Sequence, residues 1–144
     1  MTLASGYAPD DAANLIKTFA RETHGVMHAV LVAADGLAIT ASDGLHRDAV
    51  DTVAASASSL MAVAYSMARG FDAGEPEILT FRTPHMHFLF MEVLDRAGLA
   101  VLAEREANLG AVGHQMQRLV AAVGQRLQPD LRPPVPQSTA SGHR

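Results

Sequence analysis

The sequence contains no cysteine and no tryptophan, and only 5% of its 144 residues are aromatic. Without cysteine there can be no disulfide, no thiolate metal site and no cysteine nucleophile. The core must be built from aliphatic side chains and methionine, for which a hydrophobic content of 49% suffices. The lack of disulfides fits a reducing compartment, and we expect a cytoplasmic protein.

Positive charge and long apolar runs are also scarce. Lys17 is the only lysine, the net charge is −4 and the pI is near 5.9, which argues against a nucleic-acid-binding surface. The first residues, MTLASGYAPDD, lack the basic and apolar regions of a signal peptide. No apolar run is long enough for a transmembrane helix, since four serines interrupt the best candidate, residues 52–68.

Hydrophobic periodicity predicts eight elements in the order α-β-β-α-β-β-β-α. The predicted helices cover about 9–25, 47–70 and 107–127, and Pro129 is expected to end the last one. The predicted strands cover 26–34, 37–42, 77–82, 87–94 and 99–103, with an Asp35-Gly36 turn between the first two and a second turn at 95–98. Strands 26–34 and 87–94 are apolar on both faces, which is typical of central strands covered on both sides.

These elements predict one α/β domain. We expect a five-stranded, mainly antiparallel sheet, with the long helix on one face and the two terminal helices on the other. The domain is expected to span residues 10–131. Residues 1–9 are predicted to be flexible, and the proline-rich residues 132–144, RPPVPQSTASGHR, are predicted to be disordered.

The long helix has no charged residue from Thr52 to Ala68. Its main apolar stripe, which includes Met67 and Phe71, is expected to cover the sheet. The opposite face holds Ala55, Ser58, Ser59, Ala62, Tyr65 and Ser66. An uncharged face of small residues usually marks an interaction site, and a symmetric dimer is the commonest way to bury it. The strand at 77–82 is expected to lie at the sheet edge, where Ile78, Thr80 and Arg82 would join the same dimer interface.

Residue patterns for catalysis are missing. The chain has no G-x-x-x-x-G-K-[ST], no G-x-G-x-x-G and no G-x-S-x-G motif, and the helical serines lack a nearby base. His85-Met86-His87 places two imidazoles on one face of a strand, a spacing that can chelate zinc, although no third ligand follows nearby. We therefore expect no catalytic site, no cofactor and no metal, and keep a His85/His87 metal protein as a minor alternative.

The segment GVMHAVLVAADGLAITASDGLHRDAVDTVAASASSLMAVA resembles the bacterial branch of the roadblock/LC7 domain family, which includes MglB-like and conservon-type GTPase regulators. The pattern G-V-x-x-A-x-L-V-S-x-D-G-L is matched by Gly25, Val26, Ala29, Leu31, Val32, Asp35, Gly36 and Leu37, with Ala33 in place of serine. Near the last helix, Leu109 and Gly110 match a D-L-G pattern, and Asn108 replaces the aspartate. The resemblance extends over about residues 10–131.

The resemblance implies a roadblock/longin/profilin-like fold and a homodimeric, non-enzymatic regulator or scaffold. Its implied partner is a Ras-like small GTPase, whose hydrolysis it would modulate without a catalytic site of its own, with a sensor-kinase-like protein as a further partner. Candidate partner-binding residues are Arg47, Tyr65, Arg69 and Phe71. The alternative is a PAS/GAF-like sensing module, which would need a cavity lined by Met27, Met61, Met91 and His87.

Overall fold

A computed structural model describes residues 9–131 of the chain, and the segments predicted to be flexible or disordered lie almost entirely outside them. The element order is the predicted one. The helices are α1 (Pro9–Glu22), α2 (Arg47–Gly70) and α3 (Leu109–Leu131), and the strands are β1 (Val26–Val32), β2 (Ala38–Ala41), β3 (Leu79–Arg82), β4 (Met86–Leu94) and β5 (Ala97–Glu104).

The five strands form one antiparallel sheet in the order β2-β1-β5-β4-β3. Both strands predicted to be central, β1 and β4, lie inside the sheet, and β3 is an edge strand as expected. The last strand in sequence, β5, takes the middle position because it pairs with both β1 and β4. Two edges therefore remain within the described fold, β2 on one side and β3 on the other.

The sheet separates two hydrophobic layers, because alternate residues of a strand face opposite sides. Ala29 and Leu31 of β1 pack with α1 and α3, whereas Val30 and Val32 pack with α2. The α1/α3 layer is the larger of the two cores and includes Ile16, Met116 and Val123. This is the predicted sandwich, with the long helix alone on one face of the sheet.

Tight turns connect the paired strands. Gly36 adopts φ +88°, and the Asp35 carboxylate accepts a hydrogen bond from the Leu37 backbone N–H at 3.1 Å. Between β4 and β5 the turn consists of Asp95 and Arg96, with φ of 50° and 72°. Two consecutive residues with positive φ suit a two-residue hairpin turn, so β5 begins at Ala97, inside the turn predicted over 95–98.

The last helix differs from its prediction at both ends. It begins at Leu109, because the Asn108 side chain caps it by accepting the Ala111 N–H at 3.0 Å. It also continues to Leu131, so the prediction that Pro129 ends it is wrong. Proline has a helix-compatible φ, and near a helix end its missing N–H removes only one hydrogen bond.

Candidate partner-binding surface

One face of α2 is exposed along nearly its whole length. It carries no charged residue from Thr52 to Gly70, and Arg69, the one charged residue in that range, lies beside it. We call it the α2 outer face, and its exposed residues are Thr52, Ala55, Ser56, Ser59, Ala62, Val63, Ser66, Met67 and Gly70. Their spacing of three and four residues is that of one side of a helix. The other side of α2 packs on β1, β2 and β5.

The C-terminal half of this face is bulky and apolar. Val63 is 64% exposed, Met67 65% and the following Phe71 80%. The prediction that Met67 and Phe71 cover the sheet is therefore wrong. Val63 was not predicted to be part of the exposed face, although Val63, Met67 and Phe71 recur at intervals of four residues. The α2 helix has 24 residues and is about 36 Å long, whereas β1 has seven residues and is about 23 Å long. The helix is therefore longer than the strand beneath it.

Most of the small residues expected at a dimer interface are accessible. Ala55, Ser59, Ala62 and Ser66 are exposed on the α2 outer face. Ser58 is half-buried, because it lies beneath the β1–β2 turn, where a Cβ built on Gly36 would be 3.5 Å from its Oγ. The predicted set is thus brought together on one surface, with Ser58 at its covered margin.

Tyr65 does not lie on this face, contrary to the expectation from its helical position. It is only 6% exposed, and the Arg96 guanidinium lies over its ring at 3.8 Å. The tyrosine is buried because the β4–β5 turn carries Arg96 across it. Arg96 itself was not singled out from the sequence, and only its place in a turn could have drawn attention to it.

The other candidate partner-binding residues are accessible at the two ends of α2. Arg47 is in the first turn, 3.7 Å from the Asp51 carboxylate, and both side chains are largely exposed. Arg69 lies in the last turn and Phe71 follows the helix. An exposed pair such as Arg47–Asp51 contributes little to stability, so both side chains remain available for other contacts.

Beside α2, the sheet is progressively uncovered towards β3. Phe90 is 3% exposed, Phe88 is half-buried and Phe81 is 42% exposed. The Phe81 and Phe88 rings stack with their centroids 4.5 Å apart. Ile78, Thr80 and Arg82, the strand residues expected at the interface, are all exposed, and Ile78 precedes the observed strand. Exposed apolar side chains are therefore present both at the end of α2 and at the β3 edge.

The two histidines of the H-M-H sequence do not converge. His85 is exposed, whereas His87 is 5% exposed and its Nε2 lies 3.0 Å from the Arg105 carbonyl oxygen. The carbonyl can only accept, so this nitrogen donates. Within residues 9–131, no three His, Asp or Glu side chains are placed to hold a metal ion together.

Within residues 9–131, the four side chains that a sensing module would need do not line one common cavity. Met61 and Met91 line a space of about 20 Å³ under α2, roughly the room for one water molecule. Met27 is 38% exposed and lines a different surface groove, beside Lys17 and Ser42. None of the described helices is long and apolar enough to cross a membrane.

Comparisons with known proteins agree with this geometry. A Roadblock/LC7 domain from Streptomyces avermitilis is similar, with 29% identity, a TM-score of 0.76, and coverage of 81% of this chain and 97% of the other. Myxococcus xanthus MglB has a TM-score of 0.81 at 12% identity, covering 94% and 100%. The gliding protein MglB from Thermus thermophilus has a TM-score of 0.76 at 19% identity, covering 89% and 97%.

The two MglB proteins are similar in fold. A search among curated proteins found no match. The family model described as the Roadblock/LC7 domain matches residues 13–103, which include the β1–β2 hairpin, all of α2 and the three following strands almost to their end. This chain therefore belongs to the Roadblock/LC7 family.

Proposed function

We propose that this protein is a homodimer formed through the α2 outer face and the β3 edge. Val63, Met67 and Phe71 expose more apolar surface than an isolated helix face usually does in a monomer. β3 pairs with β4 without a register shift, so its outer edge is regular and can accept a second strand. Pairing of β3 with its copy would bury the exposed aromatic surface around Phe81.

The distribution of residue sizes along α2 favours an antiparallel pairing of the two helices. Its N-terminal half presents small side chains such as Ala55 and Ser59, and its C-terminal half presents Met67 and Phe71. A two-fold axis between antiparallel helices places the bulky end of each against the small end of the other. Parallel helices would place Phe71 against Phe71 and leave a gap between the small residues.

We infer that the dimer acts on a Ras-like small GTPase as a non-catalytic regulator or scaffold in a cytoplasmic signalling complex. Membership of the Roadblock/LC7 family carries this proposal. A conservon-type assembly with a sensor-kinase-like protein is the context we favour. Any effect on GTP hydrolysis would come from holding the GTPase in one conformation, since the family motifs supply no catalytic group.

The dimer is tested by size-exclusion chromatography with light scattering. Ala62→Arg places a charge in the middle of the α2 outer face and should give a monomer, because the interface would bury that charge without a partner. Ala111→Arg, at an exposed position of α3, is the matched control and should remain dimeric. A wild-type monomer at micromolar concentration, or a dimeric Ala62→Arg variant, would show that this face is not the interface.

The regulatory proposal is tested with Ras-like small GTPases from the same organism. We expect co-purification of the two proteins and a change in the single-turnover rate of GTP hydrolysis when the dimer is added. Arg47→Ala and Arg69→Ala, which alter exposed charged residues at the two ends of α2, should weaken the complex without unfolding the chain. If the GTPase neither binds nor changes its rate of hydrolysis, the regulatory proposal is contradicted. The dimer proposal would not be affected by that result.

A further inference from the structure

The hydrogen bonds between β3 and β4 determine which backbone groups of β3 face outwards. At the end of this hairpin, the Thr83 N–H donates to the Met86 carbonyl at 2.9 Å. The pairing then continues without a register shift to Leu79 opposite Phe90. Hydrogen-bonded and non-hydrogen-bonded pairs alternate along an antiparallel ladder. The odd-numbered residues of β3, Leu79 and Phe81, therefore direct their N–H and C=O groups to β4.

The even-numbered residues direct the same backbone groups to the outer edge of the sheet. They are Thr80 and Arg82, together with Ile78 directly before the strand, and all three are exposed. Two prolines limit this edge, because Pro76 and Pro84 occupy the next even positions and have no N–H to donate. The segment that can both donate and accept therefore has Thr80 in its middle, with a proline four residues away on each side.

A two-fold axis allows β3 to pair with its copy in only a few registers, since the same contacts must recur on both sides of the axis. With Thr80 on the axis, Thr80 pairs with its own copy and Ile78 pairs with Arg82 of the second copy. All three outward residues then exchange backbone hydrogen bonds. Moving the axis by one residue, to Leu79 or Phe81, leaves one of the three opposite a proline. Moving it to Ile78 or Arg82 leaves Thr80 opposite a proline, and at Arg82 it also sets like charges against each other.

The register centred on Thr80 also brings apolar side chains together on the α2 side of the sheet. Leu79 would lie opposite Phe81 of the second copy, in a non-hydrogen-bonded pair with Cα atoms about 4.5 Å apart. Leu79 packs with the layer under α2, and the 42% exposed Phe81 ring stacks on Phe88. Directly opposite side chains contact each other and stabilise a sheet. Each exposed Phe81 ring would thus be covered by a leucine of the other chain.

We propose that β3 pairs with its copy in this single register, with Thr80 on the two-fold axis. The inference rests on the proposed homodimer, and it adds which residues of the two strand edges face each other. Pro76 and Pro84 lie at the ends of the paired segment, where they exclude the neighbouring registers.

Disulfide formation between introduced cysteines tests the register, because the natural chain contains no cysteine. Ile78→Cys, Thr80→Cys and Arg82→Cys are prepared as single variants and treated with oxidised glutathione. Thr80→Cys should form a covalent dimer about tenfold faster than Ala111→Cys on α3, the control for random collision, because its two Cα atoms would be about 5.5 Å apart. Ile78→Cys and Arg82→Cys should each match the control when alone, because their copies would be about 14 Å apart, and should cross-link when mixed.

A shifted register gives a different cross-linking pattern. Rapid cross-linking of Arg82→Cys alone, or of Thr80→Cys only when it is mixed with Arg82→Cys, overturns the proposal. The proposal is also overturned if no variant cross-links faster than Ala111→Cys. Light scattering separates this failure from failure of the dimer, because a dimeric wild type contradicts the register alone, whereas a monomeric wild type contradicts the proposed dimer as well.

Amide hydrogen exchange supplies a second measurement that needs no substitution in β3. In the wild-type dimer, the outward Thr80 amide should exchange about as slowly as the Phe81 amide, which is bonded to β4. In the monomeric Ala62→Arg variant, exchange at Thr80 should become faster relative to Phe81 by about tenfold or more. A Thr80 amide that exchanges rapidly in a wild-type dimer shows that the β3 edges are not paired, and overturns the proposal.

Discussion

At the scale of single residues, Gly25 shows how closely the end of α1 approaches the start of α3. Its φ is +92°, and a Cβ placed on it would lie 2.7 Å from the Cβ of Ala107. Gly74 has a similar φ of +89° but no atom within 4 Å of such a Cβ. The two glycines therefore separate the cost of the backbone conformation from the cost of crowding.

We predict that Gly74→Ala lowers the free energy of unfolding by about 1 kcal/mol, the cost of a left-handed conformation for a residue with a Cβ. Gly25→Ala should lower it by about 2–4 kcal/mol, because the close contact with Ala107 is added to that cost. Urea denaturation of both variants measures the difference. Equal losses would mean that the chain around Ala107 moves aside without penalty.

Ser42 replaces a sheet hydrogen bond with one from a side chain. It is 6% exposed, and its Oγ accepts the Ala29 backbone N–H at 2.9 Å. We predict that Ser42→Ala lowers the free energy of unfolding by about 1–3 kcal/mol, because it leaves a buried N–H without an acceptor. Ser59→Ala, on the exposed face of α2, should change the same quantity by less than about 0.5 kcal/mol in the monomeric background of Ala62→Arg.

At the scale of elements, Asn108 determines where α3 begins. Its Oδ1 accepts the Ala111 N–H, and its carbonyl accepts the Val112 N–H at 3.0 Å, the arrangement of a helix N-cap. We predict that Asn108→Ala costs about 1 kcal/mol of stability and that Asn108→Asp costs almost nothing, because aspartate caps as well as asparagine. Thermal unfolding of the two variants compares them, and a loss in Asn108→Asp equal to that in Asn108→Ala would contradict the capping role.

The order and type of the elements could be predicted because their signals are local. The alternation in β1, the Asp35-Gly36 turn and the periodicity of α3 depend on neighbours within a few residues. The exposure of Met67 and Phe71 could not be predicted in this way. An apolar residue on a helix gives the same pattern whether the sheet ends beneath it or continues, and only the packing of α2 on β1, β2 and β5 decides between the two.

Only part of the candidate site could be predicted, because only some of its residues are marked by local sequence signals. The small residues Ala55, Ser59 and Ala62 stood out because a charge-free helix face needs a cover. Tyr65 was misplaced because its burial depends on Arg96, which lies on a turn 31 residues later and adopts an unusual backbone conformation. Contacts between residues so far apart in sequence do not affect local spacing.

At the scale of the whole molecule, burial of exposed apolar side chains in a dimer makes thermal stability depend on protein concentration. If two copies unfold together as they separate, the midpoint of thermal unfolding depends on protein concentration. A tenfold rise in concentration is worth about 1.4 kcal/mol. Divided by the unfolding entropy of two chains of this length, this free energy corresponds to a rise in Tm of about 2 °C.

The prediction is a Tm of the wild-type protein that climbs steadily with concentration, measured by scanning calorimetry over two or three decades. The Ala62→Arg variant should show a lower Tm that does not change with concentration, because it unfolds as a single chain. Ala111→Arg should follow the wild type, since its charge lies on the opposite side of the sheet. A wild-type Tm independent of concentration would mean that the exposed side chains of Val63, Met67, Phe71 and Phe81 are tolerated in a monomer. A second copy would then not be needed to account for them.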